Sequence, residues 1–396
     1  MIDINQVIKD MDLRGQPSNH RIVVAMSGGV DSSVTAALLV EAGYDVVGLT
    51  MQLYDYGKAV QKQGACCAGS DINDARLVSS KLGIPHFVLN YESIFQNQVM
   101  NNFADSYLRG ETPIPCIRCN QTVKFTDMFE RAKNLGASAM ATGHYIRRKK
   151  RQGITSLYTG IDPQKDQSYF LFATTKKQLN FVRFPLGSLT KDETRSVAKW
   201  LELNVADKPD SQDICFVPEG KYADVVRKLR PGSIDKGDII DINGNVLGRH
   251  NGIIDFTIGQ RKGIGIGGRK GVEDDNSILY VIALDTENNN VIVGPRFYLS
   301  CEKIKISDCN WIIERPKISQ FKVLVKLRNS SKPVKGNIKV NFENSCAFLS
   351  FDKPQFGVST GQAAVFYNIK EPSHVLGGGW ITEAPNKFAD VRIYNA

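Results

Sequence analysis

The residues best suited to chemistry are Cys116 and Cys119, three positions apart in TPIPCIRCN, Thr112–Asn120. Pro113 and Pro115 stiffen the approach to them. Thiols at this spacing serve as metal ligands, a redox pair, a nucleophile with its helper, or plain buried side chains. The choice depends on what the fold brings to them. Eight cysteines in 396 residues, with a polar start of mixed charge at Met1–His20, do not read as a secreted disulfide framework. No apolar run reaches membrane-spanning length, so the cytoplasm is the expected compartment.

A second candidate site is SGGVDSS, Ser27–Ser33, in the longer stretch RIVVAMSGGVDSSVTAALLVEAGY. Arg21–Met26 reads as a buried parallel strand, the glycines as a tight turn, and the chain from about Asp31 as a helix stopped by Gly43. Strand, turn and helix start together aim backbone N–H groups at an anion, at the positive end of a helix dipole. The loop lacks the lysine of G-x-x-x-x-G-K-[ST] and does not fit G-x-G-x-x-G.

The elements that position these residues alternate. DVVGLTM is a second strand, DINDARLVSSKLG a helix and PHFVLNY a third strand. Helices follow at about 91–108 and 122–135, then SAMATGHY as a fourth strand with its loop. This pattern predicts an α/β fold, a doubly wound parallel sheet with the loops after strands one and four lining one crevice. Leu189–Leu203 reads as the helix closing that domain. Residues from about 218 carry short strands and many glycines, a small and mostly β domain. From about 300, FKVLVKL, GNIKVNF, CAFLSF and AAVFYN alternate as an antiparallel barrel. The expected domains are 1–217, 218–297 and 298–396.

SGGVDSS resembles the pyrophosphate loop of the ATP pyrophosphatases (HUP-like domains). With TGHY, KDQSYFLF, DSQDICFV, GQRKGIGIGG and GQAAVFY following in that order, the chain closely resembles the tRNA-specific 2-thiouridylase family from about Arg21 to Trp380. The resemblance implies ATP-dependent adenylation of the 2-oxygen of the wobble uridine in tRNA, followed by replacement of that oxygen with sulfur. It implies an ATP site at Ala25, Met26, Ser27, Gly28, Gly29, Val30, Asp31, Ser32, Met51 and Gly143, with Asp31 helping to hold Mg2+. It assigns tRNA contacts to His144, Lys165, Asp166, Gln167, Arg328, Asn329 and Gln362. Its catalytic pair is Cys119 with Cys215, the latter carrying sulfur as a persulfide. The implied partners are tRNAs, of the Glu, Gln and Lys acceptors, and a sulfur-donor protein such as a cysteine desulfurase or relay protein.

One departure matters. Many relatives carry Asp where this chain has Cys116, and a thiol with a reference pKa of about 8.5 is a poor substitute for a carboxyl of about 3.9. Cys116, Cys119 and Cys215 instead offer three thiolates, which suits a 4Fe–4S cluster with one open iron. Persulfide relay and cluster therefore both stand at this point. Cys66 and Cys67 with Cys116 and Cys119 formally make a zinc set, although adjacent cysteines are awkward joint ligands. Cys301, Cys309 and Cys346 read as core.

A net charge of +9 fits a nucleic-acid partner but excludes little alone. IRRKKRQG, Ile146–Gly153, reads as a basic loop for phosphate contact, and GQRKGIGIGGRKG, Gly259–Gly271, as a flexible basic segment. Tyr169 and Phe170 are candidates for base stacking. A nitrogen-transferring synthetase would not need the thiols; a cytidine thiolase or a non-catalytic RNA binder remain alternatives.

Overall fold

The computed structural model describes residues 3–53, 67–210, 214–217, 221–266, 278–314 and 318–389. The chain packs as two compact units. The first comprises 1–99, 116–216 and 373–376; the second comprises 100–115, 217–372 and 377–396.

The first unit is built on parallel strands β1 (Arg21–Ala25), β2 (Asp45–Gln52), β3 (His86–Asn90) and β4 (Ala139–Thr142), with β7 (Val182–Arg183) at one edge. Their order, β3-β2-β1-β4-β7, reverses direction between β1 and β4. Helix α1 (Ile4–Met11) precedes β1, and α2 (Val30–Glu41) follows it. Nearly every residue of α2 from Val30 to Leu39 is buried, and its buried hydroxyls are satisfied within the helix, Ser33 Oγ donating to Gly29 O and Thr35 Oγ1 to Asp31 O. Tyr44 N–H donates to Leu39 O and Gly43 N–H to Val40 O. Gly43 sits at φ +82°, so α2 ends in a Schellman cap that needs glycine's freedom. Helix α3 (Cys67–Lys81) covers β2 and β3 and starts earlier than the sequence pattern predicts.

The basic stretch Ile146–Arg151 is not a loop. It is strand β5, paired residue for residue with β6 (Ile154–Thr159). The turn between them, Gln152–Gly153, has positive φ at both residues, the geometry that matches the twist of a two-residue hairpin. The closing helix is Lys191–Trp200, capped by a reciprocal box between Thr190 and Glu193.

The second unit holds a four-stranded sheet of β8 (Gly237–Ile240), β9 (Val246–His250), β10 (Tyr280–Asp285) and β11 (Asn290–Gly294), in the order β10-β11-β8-β9. It also holds β12 (Ser300–Trp311), β13 (Gln320–Lys326), β14 (Val334–Asn341), β15 (Cys346–Phe356), β16 (Ala363–Tyr367) and, from residue 377 onward, β17 (His374–Glu383). These six run β12-β15-β14-β13-β16-β17, and β12 pairs with β17 to close an antiparallel barrel. Alternation on β14 puts Gly336, Ile338 and Val340 inside. Among the described residues, no helix is long and apolar enough to cross a membrane.

Candidate active site

The glycine loop is held by packing that only glycine permits. Met26 N–H donates to Leu49 O, and Thr50 Oγ1 donates to Met26 O, tying the end of β1 to β2. Gly28 lies at φ +75°, and a Cβ there would fall 2.1 Å from the Asp71 carbonyl oxygen of α3. Gly29 caps α2 without any side-chain hydrogen bond, which leaves the first-turn N–H groups for an external anion. Ser32 Oγ accepts from Ser27 N–H at 3.1 Å and sets the curl of the loop. A Cβ on Gly143, just after β4, would sit 2.8 Å from Asp31 C and 2.9 Å from Ser32 N. The loops after β1 and β4 therefore touch. Met51 is half-buried near the end of β2, in register with Leu89 of β3.

Around Asp31 lies a charge network that the sequence motifs did not reveal. Asp31 Oδ1 accepts from Lys191 Nζ at 2.6 Å and from Tyr145 OH at 2.8 Å. Lys191, only 7% exposed, also meets Asp210 Oδ1 at 2.8 Å. Asp210 further accepts from Arg195 at 2.6 Å and from Lys165 at 2.7 Å. Burial alone would raise the Asp210 carboxyl, but the hydrogen bonds from Lys165 and Lys191 outweigh it and hold it at about 2. Lys208 Nζ bridges Gly28 O, Asp71 and Asp74, fastening α3 to the glycine loop. The helix read at Leu189–Leu203 includes Lys191, but nothing in spacing pointed its ammonium at Asp31.

The cysteines occupy a helix rather than an extended approach. Pro115–Arg118 forms one helical turn, and Cys119–Asp127 continues as π-helix before Met128–Asn134 resumes α. The expected helix from Thr122 thus starts seven residues early, because Pro115 is preset for a first helical turn. Cys116 is half-buried and Cys119 buried. Burial pushes the Cys119 thiol up, with Lys124 opposing and Cys116 adding to the rise. Cys215 keeps accessible surface as a residue, yet protein crowds its thiol. That burial, followed by the charges of Cys119 and Cys116, pushes it up to about 12. The three thiols are thus near enough to feel one another. Phe216 packs edge-on against Phe95 at 5.6 Å and anchors the far side of Cys215.

Next to Cys119, Asn120 is 5% exposed and donates to Phe170 O at 3.2 Å; among the described residues neither its Oδ1 nor Gln121 Oε1 has a partner. Irregular helix with unsatisfied buried amides is a feature of working sites. Among the described residues, no group of three or more His, Cys, Asp or Glu side chains is arranged to hold a metal ion. Cys66 lies outside the described residues, so the zinc alternative falls outside them too.

The residues expected to face RNA divide. Lys165 donates to Asp210, Asp166 accepts from Gly160 and Ser168, and Gln167 Oε1 accepts from Tyr145 N–H. His144 Nδ1 lies 2.9 Å from Thr142 Oγ1, and burial, aided by Lys124, pushes its pKa down to about 3. Arg328 donates to Gly357 O, Asn329 is exposed in a turn, and Gln362 Nε2 donates to Thr112 O at 2.8 Å. In β5, Arg148 is tied to Asp12 with a side chain 3% exposed, and Arg147 donates to Thr159 O. Lys150 and Arg151 remain exposed near the tip. Tyr169 is 1% exposed and packs against Phe170, so it is core and not a stacking platform. Residues 267–277 of the glycine-rich basic segment lie outside the described residues. Cys301 is core as expected, whereas Cys309 and Cys346 are only half-buried.

Comparison with known proteins matches this arrangement to one lineage. Residues 20–219 match the model of a tRNA methyl transferase HUP domain, 224–295 its PRC-barrel domain, and 301–381 an aminomethyltransferase beta-barrel domain. The tRNA-specific 2-thiouridylase MnmA of Rhodospirillum centenum is 54% identical over 95% of this chain and 96% of its own length. That of Parvibaculum lavamentivorans is 52% identical over 94% of each, and that of Roseobacter denitrificans 51% over 96% and 99%. With a HUP domain, a central domain and a closed barrel in the same order, the chain belongs to the tRNA-specific 2-thiouridylases, a family of tRNA sulfurtransferases.

Proposed function

We propose that this tRNA thiolase binds ATP at Ala25–Ser32, Met51 and Gly143 and adenylates the 2-oxygen of the wobble uridine. The uridine oxygen attacks the α-phosphorus, and pyrophosphate leaves toward the N–H groups of α2, with Mg2+ accompanying the phosphates beside Asp31. Adenylation is needed because the C2 carbonyl is a weak electrophile and its oxygen a poor leaving group. A persulfide on Cys215, loaded by a sulfur-donor protein such as a cysteine desulfurase or relay protein, attacks C2 and expels AMP. Cys119 thiolate then attacks the Cys215 sulfur, releasing the 2-thiouridine sulfur and leaving a Cys119–Cys215 disulfide. A thiol reductant restores both thiols.

The observation that supports this reading most is that Cys215 lies close enough to Cys119 and Cys116 for their charges to raise its thiol, in the same compact unit as the glycine loop. The steps are written as a persulfide relay, and no step is routed through a cluster. In this reading His144, Lys165, Asp166 and Gln167 meet tRNA, as do Arg328, Asn329 and Gln362. The substrates are the Glu, Gln and Lys acceptors, the compartment is the cytoplasm, and the modules are 1–217, 218–297 and 298–396.

The test is nucleoside mass spectrometry on tRNA treated with enzyme, ATP and a persulfide donor. Wild type forms 2-thiouridine with AMP and pyrophosphate; Cys119→Ser binds an ATP analogue but forms no product. Product from that variant overturns the relay. About four iron and four sulfide per chain in active, anaerobically prepared enzyme would transfer the role to a cluster.

A further inference from the structure

Asp31, at the start of α2, and Asp210, five residues before Cys215, share one ammonium. Lys191 Nζ lies 2.6 Å from Asp31 and 2.8 Å from Asp210. Lys191 is buried, so its charge is worth much more to either carboxylate than it would be in water. Asp210 has two further cations, Arg195 at 2.6 Å and Lys165 at 2.7 Å. Asp31 has only a neutral second donor, Tyr145 OH, on the same oxygen. Its Oδ2 has no partner among the described residues. Lys165 is the outermost member, with its side chain 38% exposed.

This arrangement is a competition. While Lys165 neutralises Asp210, Lys191 is free to lean on Asp31 and occupy its Oδ1. A phosphate that draws Lys165 away leaves Asp210 short of a cation, and Asp210 then takes the larger share of Lys191. Asp31 is thereby released for the phosphates of ATP and their divalent cation. The second route from the same tripeptide is mechanical. Gln167 brackets Tyr145, accepting from its N–H through Oε1 and donating from its own N–H to Tyr145 O at 3.2 Å. Displacement of Gln167 therefore moves the second donor on Asp31 as well.

We propose that Asp210 is a positioning residue that couples tRNA engagement at Lys165 to the ATP loop at Asp31, through the shared Lys191. This rests on the reading that Lys165 contacts tRNA. It adds a direction of effect: tRNA tightens ATP, and by linkage ATP tightens tRNA by the same factor.

The experiment is the Kd of a non-hydrolysable ATP analogue with Mg2+, measured with and without unmodified tRNA transcript. In wild type, tRNA should tighten the analogue roughly tenfold. Lys165→Ala should bind the analogue tightly without tRNA, a gain that a merely structural residue would not produce. Asp210→Asn should bring the ratio with and without tRNA to about one, and the double variant should behave as Asp210→Asn alone. Asp210→Glu, which keeps the charge, should restore part of the ratio and guards against simple misfolding, as does a thermal melt of each variant. Unchanged analogue affinity in Lys165→Ala, or a wild-type ratio in Asp210→Asn, overturns the coupling. If wild type itself forms no 2-thiouridine, the functional reading fails instead; if it forms product yet tRNA leaves the analogue Kd unchanged, only the coupling fails.

Discussion

The glycine loop and the cysteine helix both lie in the first unit and are built on opposite physical plans. The loop is tightly specified: Gly28 within it and Gly143 against it admit backbone contacts no side chain would allow, and its donors are main-chain N–H groups at a helix start. The cysteine helix is under-satisfied: π-helical, with two amide oxygens that have no partner among the described residues beside a thiol whose pKa burial raises. A site for a triphosphate needs fixed dipoles, because the charge it meets is always present. A site for sulfur transfer benefits from thiols that stay neutral until the reaction calls on them, and from a helix able to shift.

Breaking the loop should have the largest effect. Gly28→Ala forces a Cβ onto the Asp71 carbonyl at positive φ and should cost about 3 kcal/mol or more, with loss of ATP-analogue binding in calorimetry. Gly29→Ala is the control. Its φ of −91° suits any residue and its nearest neighbour is 3.6 Å away, so the cost should stay within about 1 kcal/mol.

The thiols sharpen the contrast through pH. Because Cys119 is raised and Cys215 lies at about 12, iodoacetamide should label both many-fold more slowly at pH 7 than a free peptide thiol. Labelling should still be rising well above pH 9. Linkage has a definite sign here: above about 8.5 the unfolded chain loses the thiol proton first, so this pair makes stability fall as pH rises. His144 acts at the other end. Its pKa of about 3 means that stability present above the unfolded value of about 6.5 is lost as pH falls toward 3, which acid-titrated melts would register. The smallest expected effect is that of Lys124→Ala. Its charge lowers both thiols, so its removal should slow their alkylation a further few-fold, with little change in ATP-analogue affinity.

Much of the architecture was legible because it depends on local pattern. β-Branched runs, the SGG turn and Gly43 marked β1, the loop and the end of α2, and alternation marked the barrel strands. Segments whose role depends on distant partners were not legible. IRRKKRQG reads as a basic loop for phosphate contact, yet Arg148 is claimed by Asp12, 136 residues away. Tyr169 reads as a stacking platform, yet its ring is buried. Residues 100–115 belong by sequence to the helices of the first domain, but pack in the second unit, where Thr112 is held by Thr360 and Gln362.

The sequence by itself determined where the glycine turn after β1 must lie, since only glycine reaches positive φ without strain, and which cysteines were candidates for sulfur chemistry. Only the tertiary structure decided that Lys191 serves both Asp31 and Asp210, that Cys215 feels Cys119, and that Cys119 begins a π-helix. Glycine conformations and capping boxes are set within a few residues. Charge pairing, desolvation and helix irregularity are set by whatever the fold places alongside, and that is not written in spacing.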